Sequence, residues 1–554
     1  MKITNSKLFS TFIIVLHSVI YSFGQIPEDT LIVQTFTFSD IEKRRDIFQF
    51  PDTDQSWRKI IMVRTLKCDE QTTRDIYPCG EWDYITRTVV YIHKKDTTEE
   101  FELDNFITPY GKRLDLNGDK GWTWYYDVSD YALLLKGKVD ISSGNTQELL
   151  DMKFYFIPGI SDRKVISIEN IYPTGSYKYE NLSDNDVLKP VKIVLNPEAN
   201  TYKIRARISG HGHFGPRNCC EWESKTHSYY LGDEMIFRWN VWKDCGLNPI
   251  FPQGGTWQFD RAGWCPGTPV DTYDFELTDK VKPGDTINLD YGIEAYSGNG
   301  EKGGNFQMSH QLISYGTPNF LNNAAIYDIL APSSKDEYSR INPVCKEPRI
   351  IIQNTGRNIL ESLKIEYGLS NGGKSVYEWR GELKFLEKEK VILPLMNWKG
   401  LKNDRIFMAG IISVNGIDDE NPDDNKLSSI IKLPLVLPEK FIINIEANGL
   451  GRAYENGYSI SDINGQVLYE RDAFEDNAVY QDIIELSEGC YELTISDKKE
   501  DGMIRQWWFR GSQPELIGRN GRIALMDKDL NLIKELKYDF ANELGLQFHV
   551  GEIK

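Results

Sequence analysis

Short runs rich in β-branched and aromatic residues, such as "KIIMVRTL" (59–66), "RTVVYIHKK" (87–95), "MKFYFI" (152–157) and "YKIRARISG" (202–210), recur between clusters of Gly, Pro, Asn and Asp. That spacing leaves little room for helices. Long stretches with apolar residues every 3.6 positions are scarce, and one short piece near "LKYDFANELG" (536–545) is the helical candidate. The pattern predicts antiparallel β structure, in sandwiches or jelly rolls. With 554 residues the chain is too long for one core, so several domains are expected. Turn-rich, polar segments near 172–190, 331–348 and 433–440 divide it into units over 26–172, 173–333, 334–437 and 438–554, preceded by a leader over 1–25.

The leader "MKITNSKLFSTFIIVLHSVIYSFGQ" carries Lys2 and Lys7, an apolar run from Leu8 to Phe23, and Gly24 before Gln25. This is the make-up of a secretory signal peptide, too short in its apolar part for a membrane anchor. An exported chain, periplasmic or extracellular, is expected to begin near residue 26, with no membrane insertion and as a monomer. The 82 acidic against 64 basic residues, a net charge of −18, argue against phosphate backbones and anionic membranes, so nucleic acid is excluded as a partner. Export makes the eight cysteines (68, 79, 219, 220, 245, 265, 345 and 490) candidates for disulfides, and six of them fall between 68 and 265.

Chemistry-bearing residues gather in three places. "CDEQTTRDIYPCGEWDY" (68–84) sets Cys68 and Cys79 eleven apart, a loop that a disulfide closes for ~2–4 kcal/mol, and then presents Glu81, Trp82 and Asp83. Strand alternation predicts the two carboxylates on one face and the indole on the other. "GHGHFGPRNCCEWESKTH" (210–227) holds His211, His213 and His227, Cys219 and Cys220, and Glu221 and Glu223 around Trp222. "FDRAGWCPG" (259–267) places Asp260, Arg261 and Trp264 before Cys265, with Cys245 of "KDCGLNP" as a candidate partner. Each cluster alone is a weak signal, and the triplet Glu81–Asp83 by itself reads sooner as a solvated acidic turn.

Taken in order, "CGEWDY", "FITPYG", "ARISGHGHFGP", "CCEWESKTH", "GLNP", "DRAGWCPG" and "VDTYDFELT" make residues 30–330 resemble the peptide-N-glycosidase F family, bacterial amidases that remove N-linked glycans from asparagine. The resemblance implies two adjacent antiparallel jelly rolls with the active site where they meet, and a metal-free hydrolysis with no cofactor. It implies Asp83 as principal catalytic acid, Glu221 as a second acid and Arg261 as a polarising group. It further implies Glu81, Trp82, His211, His213, Trp222 and Trp264 around the substrate, an N-glycosylated peptide or glycoprotein, with Cys68–Cys79 and Cys245–Cys265 as disulfides. The sequence departs from the family in three places. Glu223 stands where the family has a cysteine, so Cys219 pairs with Cys220 or stays free; Tyr84 replaces a basic residue; and the family's third acid falls opposite "VDISSGN", where Asp140 is nearest and no assignment is made.

Three rival readings remain. His211 and His213 have the spacing of a two-histidine metal site, as in copper monooxygenases on paired jelly rolls, although the chain holds seven histidines in all, His17 of the leader included. A tryptophan-rich cleft with an acidic rim also suits a non-catalytic glycan-binding protein. A cysteine nucleophile at 219 or 220 near His227 is disfavoured by export.

Beyond residue 334 the resemblance ends. "RIIIQNTGRNILESLKIEYGL" reads as an immunoglobulin-like sandwich, and 438–554, with "GCYELTISDKKEDGM", as a further β-sandwich. The acidic turns at Asp418–Asp424 and Asp497–Asp501 lack EF-hand spacing and read as solvated turns rather than calcium sites. A Cys345–Cys490 bridge between these modules is left open.

Overall fold

A computed structural model describes residues 27, 29–69, 79–144, 147–213, 219–297, 303–341, 346–504, 514–516 and 518–553. The leader over 1–25 lies outside these, as does Cys345. The protein is built almost wholly from antiparallel sheets. In the first unit, β1 (Leu31–Gln34), β2 (Arg45–Gln49), β3 (Trp57–Lys67), β4 (Ile85–His93), β5 (Thr98–Ile107), β6 (Trp122–Asp127), β7 (Lys138–Ser143) and β8 (Leu149–Pro158) form two four-stranded sheets. Their orders, β1-β8-β3-β6 and β2-β7-β4-β5, are those of a jelly roll.

The second unit repeats the plan with β9 (Val165–Lys178), β10 (Val191–Val194), β11 (Thr201–His211), β12 (Lys225–Leu231), β13 (Glu234–Val241), β14 (Thr272–Glu276), β15 (Thr286–Ile293) and β16 (Asn305–Tyr315). Its sheets are β14-β11-β16-β9 and β10-β15-β12-β13.

Alternation along β3 shows why the sequence takes this form. Ile60 and Met62 enter the core between the sheets, while Ile61 and Val63 pack with Tyr155 on the opposite face. The third module pairs 324–331, 349–354 and 388–392 in one sheet and 360–369, 374–383, 406–414 and 426–430 in the other, an immunoglobulin-like arrangement. The last module is a sandwich of a five-stranded and a four-stranded sheet.

β9 runs across the first expected boundary, and strands just ahead of the other two pair with the module that follows. β9 spans 172/173 because Pro173 and Thr174 sit in a bulge between the pairs Tyr172↔His310 and Gly175↔Met308, which interrupts the ladder without ending the strand. The strand over 324–331 pairs with 349–354 and so belongs to the third module, and 435–437 pairs with 548–550 of the last. The helix expected at 536–545 is absent: a turn there leads into the strand Glu543–Val550. Among the described residues the α-helix is Tyr179–Ser183.

The two rolls meet along β5. Val270 donates to Asn105 O (2.9 Å), Gly267 to Ile107 O (2.8 Å) and Ile107 to Thr268 O (3.2 Å), so the 267–270 loop of the second roll is zipped to an edge strand of the first. Beside this zipper, Lys203 and Arg205 of β11 reach Asp130 at 2.7 and 2.9 Å, and these cations hold its carboxyl well below the usual range despite burial. Broken singly, such buried pairs cost ~3–5 kcal/mol, which fixes how the rolls sit.

Candidate active site

Asp83 occupies a loop that both sides hold. Gly80 adopts φ +75°, and a Cβ on Gly111 would fall 1.7 Å from Gly80 O, so "CGEWDY" and "FITPYG" touch backbone to backbone. Thr108 then staples the loop: its Oγ1 accepts the Tyr84 N–H (2.8 Å), and its own N–H donates to Tyr84 O (2.9 Å). Held this way, 81–84 form a bend before β4 starts at Ile85, and the strand alternation expected for Glu81, Trp82 and Asp83 does not occur.

The opposite wall is three backbone segments laid side by side. Gly210 donates to Ala262 O (2.9 Å), Ala262 to Glu221 O (3.0 Å) and Glu221 to Gly212 O (3.0 Å). A Cβ on Gly210 would lie 2.0 Å from Cys220 O, so the close approach requires glycine. Arg261 is fixed by paired backbone bonds with Lys243, next to the Cys245–Cys265 disulfide.

Its guanidinium is fully buried and donates to Glu221 Oε1 (3.2 Å), Phe259 O (2.6 Å) and Thr256 Oγ1 (2.7 Å). It is stacked between the rings of Trp222 (4.3 Å) and Trp264 (4.8 Å). His211 in turn stacks on Trp264 at 5.2 Å and bonds Ser209 through Nε2 (2.7 Å).

The electrostatics converge on Asp83. Burial pushes its carboxyl up to about 6, and the neighbouring charge of Glu221 adds to this; Arg261 and a hydrogen bond from the Tyr110 hydroxyl pull the other way. Burial wins, leaving a carboxyl poised to gain or lose a proton near neutral pH. Burial and the Asp83 charge push Tyr110 upward, so it stays a neutral donor. Burial and then Arg261 lower His211 to about 3, which keeps it neutral.

Three neighbours in this site escaped the sequence reading. Tyr110 packs its ring on Gly255, which has φ +62° and where a Cβ would come within 2.6 Å of the ring. Its N–H donates to Gln253 Oε1 (2.9 Å), and its hydroxyl lies 3.4 Å from Thr256 Oγ1. The "FITPYG" motif was the signal that contained Tyr110; Gln253 and Thr256 carried none.

A family model described as peptide-N-glycosidase F, C terminal, matches residues 178–313, the body of the second roll. A peptide-N(4)-(N-acetyl-β-D-glucosaminyl)asparagine amidase F from Elizabethkingia miricola is 29% identical over 314 residues, 50% of this chain and 82% of that protein. Both matches support the peptide-N-glycosidase F family for this chain. Among solved structures, a peptide-N(4)-(N-acetyl-β-D-glucosaminyl)asparagine amidase is 27% identical with a TM-score of 0.43, covering 52% of this chain and 97% of that one. A glycosylasparaginase from Flavobacterium meningosepticum is 26% identical with a TM-score of 0.42, covering 52% and 96%.

The remaining expected residues fall as follows. Cys68–Cys79 and Cys245–Cys265 are disulfides, and Cys219 pairs with Cys220. That pairing leaves position 223 to a glutamate, which meets the buried Lys225 at 3.0 Å. Cys490 is also disulfide-bonded. Trp82 is 43% exposed at the rim, and His213 is exposed beside Cys220. Glu81 and Trp222 are half-buried.

Trp264 does not fit a substrate platform: it is 2% exposed, His211 and Arg261 pack on its ring, and its N–H is spent on Gly210 O (2.8 Å). Asp140 lies apart, bonded to Arg45 and His93. His227 is in the second roll's core, its Nδ1 2.6 Å from the Tyr291 hydroxyl. In the last module Glu455, Asp497 and Asp501 bring ligand atoms within 4.8 Å of one another, but Arg452 already pairs with Glu455 and Asp501, which gives the cluster its counter-charge.

Proposed function

We propose that this chain is an exported amidase that hydrolyses the bond between an asparagine side chain and the first N-acetylglucosamine of an N-linked glycan. The observation that carries the reading is the Asp83 carboxyl, raised to about 6 where the two rolls meet and facing the charges of Arg261 and Glu221. Such a group takes a proton from a water molecule as the water oxygen bonds to the amide carbonyl carbon. On collapse of the tetrahedral intermediate the carbon–nitrogen bond breaks, and the same proton passes to the departing glycosylamine, leaving aspartate in the peptide. Arg261, too buried to approach the amide closely, acts through its charge, which favours the developing oxyanion in a dry setting. Glu221, with one oxygen on Arg261, has a second for a sugar hydroxyl or a water. The exposed indole of Trp82 and the edge of Trp222 supply apolar faces for the sugar.

Mass spectrometry of a glycopeptide incubated with EDTA-treated protein in heavy-oxygen water tests the reading. The expected result is loss of the whole glycan with one heavy oxygen in the new aspartate. An unchanged glycopeptide that nonetheless binds sinks the amidase in favour of a glycan-binding protein, and cleavage within the sugar chain sinks the role of Asp83.

A further inference from the structure

The last module is not a passenger. Its turn at 538–542 presses on the loop of the second roll that carries Thr256 and on the first roll beside Tyr110. A Cβ on Gly246 would stand 2.0 Å from Asn542 Oδ1, so the Asn542 side chain lies against the Gly246 backbone in the space any larger residue there would fill. Lys537 Nζ donates to Phe251 O (2.6 Å). Arg340 spans the joint, donating to Asn248 O (2.7 Å) on one side and to Glu543 O (2.7 Å) on the other. Tyr110, Phe251 and Trp257 share one apolar cluster with Phe441, Phe540 and Leu437 of that module.

At the centre is Asp539, 4% exposed, with one oxygen facing two donors: Arg113 Nη2 at 2.8 Å and Trp257 Nε1 at 3.4 Å. Each donor leads to the site. Arg113, held at φ +67°, also donates to Gln253 O (2.6 Å), and Gln253 Oε1 accepts the Tyr110 N–H. A non-glycine residue in that conformation costs ~1–3 kcal/mol and persists only where its surroundings hold it. Trp257 follows Thr256, whose hydroxyl accepts from Arg261 and faces the Tyr110 hydroxyl. Both arms end on the two groups that draw the Asp83 carboxyl downward.

We propose that the C-terminal module is a working part of the site, and that Asp539 is a positioning residue which fixes Tyr110 and Arg261 on Asp83 through Arg113–Gln253 and Trp257–Thr256. The inference deepens the amidase reading and rests on it for its catalytic meaning, but the coupling is measurable without substrate. Loosening either arm weakens interactions that favour the ionised carboxylate, so the Asp83 midpoint rises. A merely structural role lowers the melting temperature and leaves that midpoint where it was.

The experiment is a carbon-13 carboxyl titration of the full chain, with the Asp83 signal assigned by its loss in Asp83→Asn. Asp539→Asn is expected to raise the midpoint by about 0.5–1 pH unit, Trp257→Phe by less in the same direction, and Asp539→Glu to restore part of it. The acid limb of kcat/KM on a glycopeptide should move with the midpoint. Asp476→Asn, which takes away one of the two carboxylate oxygens capping Gly451 and Ala453 within the same module, should lower melting and leave the Asp83 midpoint unchanged. Trp257→Phe keeps the test alive if Asp539→Asn fails to fold. An unmoved midpoint in the folded Asp539 and Trp257 variants overturns the inference. A moved midpoint in a protein that releases no glycan retains the positioning role and discards the amidase.

Discussion

Replacing Tyr110 by Phe removes one oxygen and keeps the ring that rests on Gly255. The lost hydroxyl donates to the Asp83 carboxylate. A hydrogen bond to a charged group contributes ~1.5–3 kcal/mol, and one pKa unit corresponds to ~1.4 kcal/mol. The lower end applies because the same hydroxyl is also drawn toward Thr256 at 3.4 Å. Asp83 should therefore rise by about one unit from its value of about 6. At pH 6 the ionised fraction falls from about one half to about one tenth, so kcat/KM drops roughly fivefold there, and the two proteins converge above about pH 8. The assay is kcat/KM on a glycopeptide between about pH 5 and 9, beside a melting curve that should shift by no more than about 3 °C. An acid limb that stays in place in a folded variant refutes the idea that Tyr110 tunes Asp83.

Asp83→Asn should abolish turnover yet stabilise the fold at neutral pH. The folded value of about 6 lies above the free value of 3.8, so ionising this carboxyl costs stability as pH rises between them. Relief of ~1–3 kcal/mol is expected at pH 7 and none at pH 3.5; a lower melting temperature at pH 7 contradicts this. Arg261→Lys keeps the charge but cannot reach Glu221, Phe259 O and Thr256 together, at a cost of ~3–5 kcal/mol in urea unfolding, and the less fixed charge lets the Asp83 midpoint rise. Loss of stability below about 1 kcal/mol would show that the guanidinium fork is dispensable. Burial depresses both His227 and His310 to about 3 from 6.5, so the fold binds fewer protons than the unfolded chain and loses stability as pH falls below 6.5. Each contributes ~1.4 kcal/mol per pH unit, so His310→Asn should make the decline between pH 6.5 and 5.5 shallower by about one proton, and an identical slope counts against the buried neutral pair.

The sheets were legible because runs such as Ile60 to Val63 bury alternate residues on two faces, a pattern that survives in sequence. The turn chemistry misled where Pro173 and Thr174 form a bulge inside β9 rather than ending it, and where Asp539 and Asn542 shape a docked turn instead of a helix. At the site, Asp83, Glu221 and Arg261 were singled out by their motifs, and the charges of Arg261 and Glu221 act on Asp83. Trp264 was misjudged because a tryptophan's position in the chain does not reveal that His211 and Arg261 already cover its ring. Tyr110, Gln253 and Thr256 were missed because a loop hydroxyl or amide gains its meaning from what lies across the seam.

The seam along β5 also dates the chemistry within the life of the molecule. Asp83 belongs to the roll completed first along the chain and Arg261 to the next, and the anchor Asp539 lies among the final residues. On the positioning role proposed for Asp539, a chain whose last segment has not docked holds the Asp83 carboxyl at a higher midpoint, and docking brings that midpoint down. The pH at which the finished site works is in this sense a readout of completed assembly, set by the final contact the chain makes.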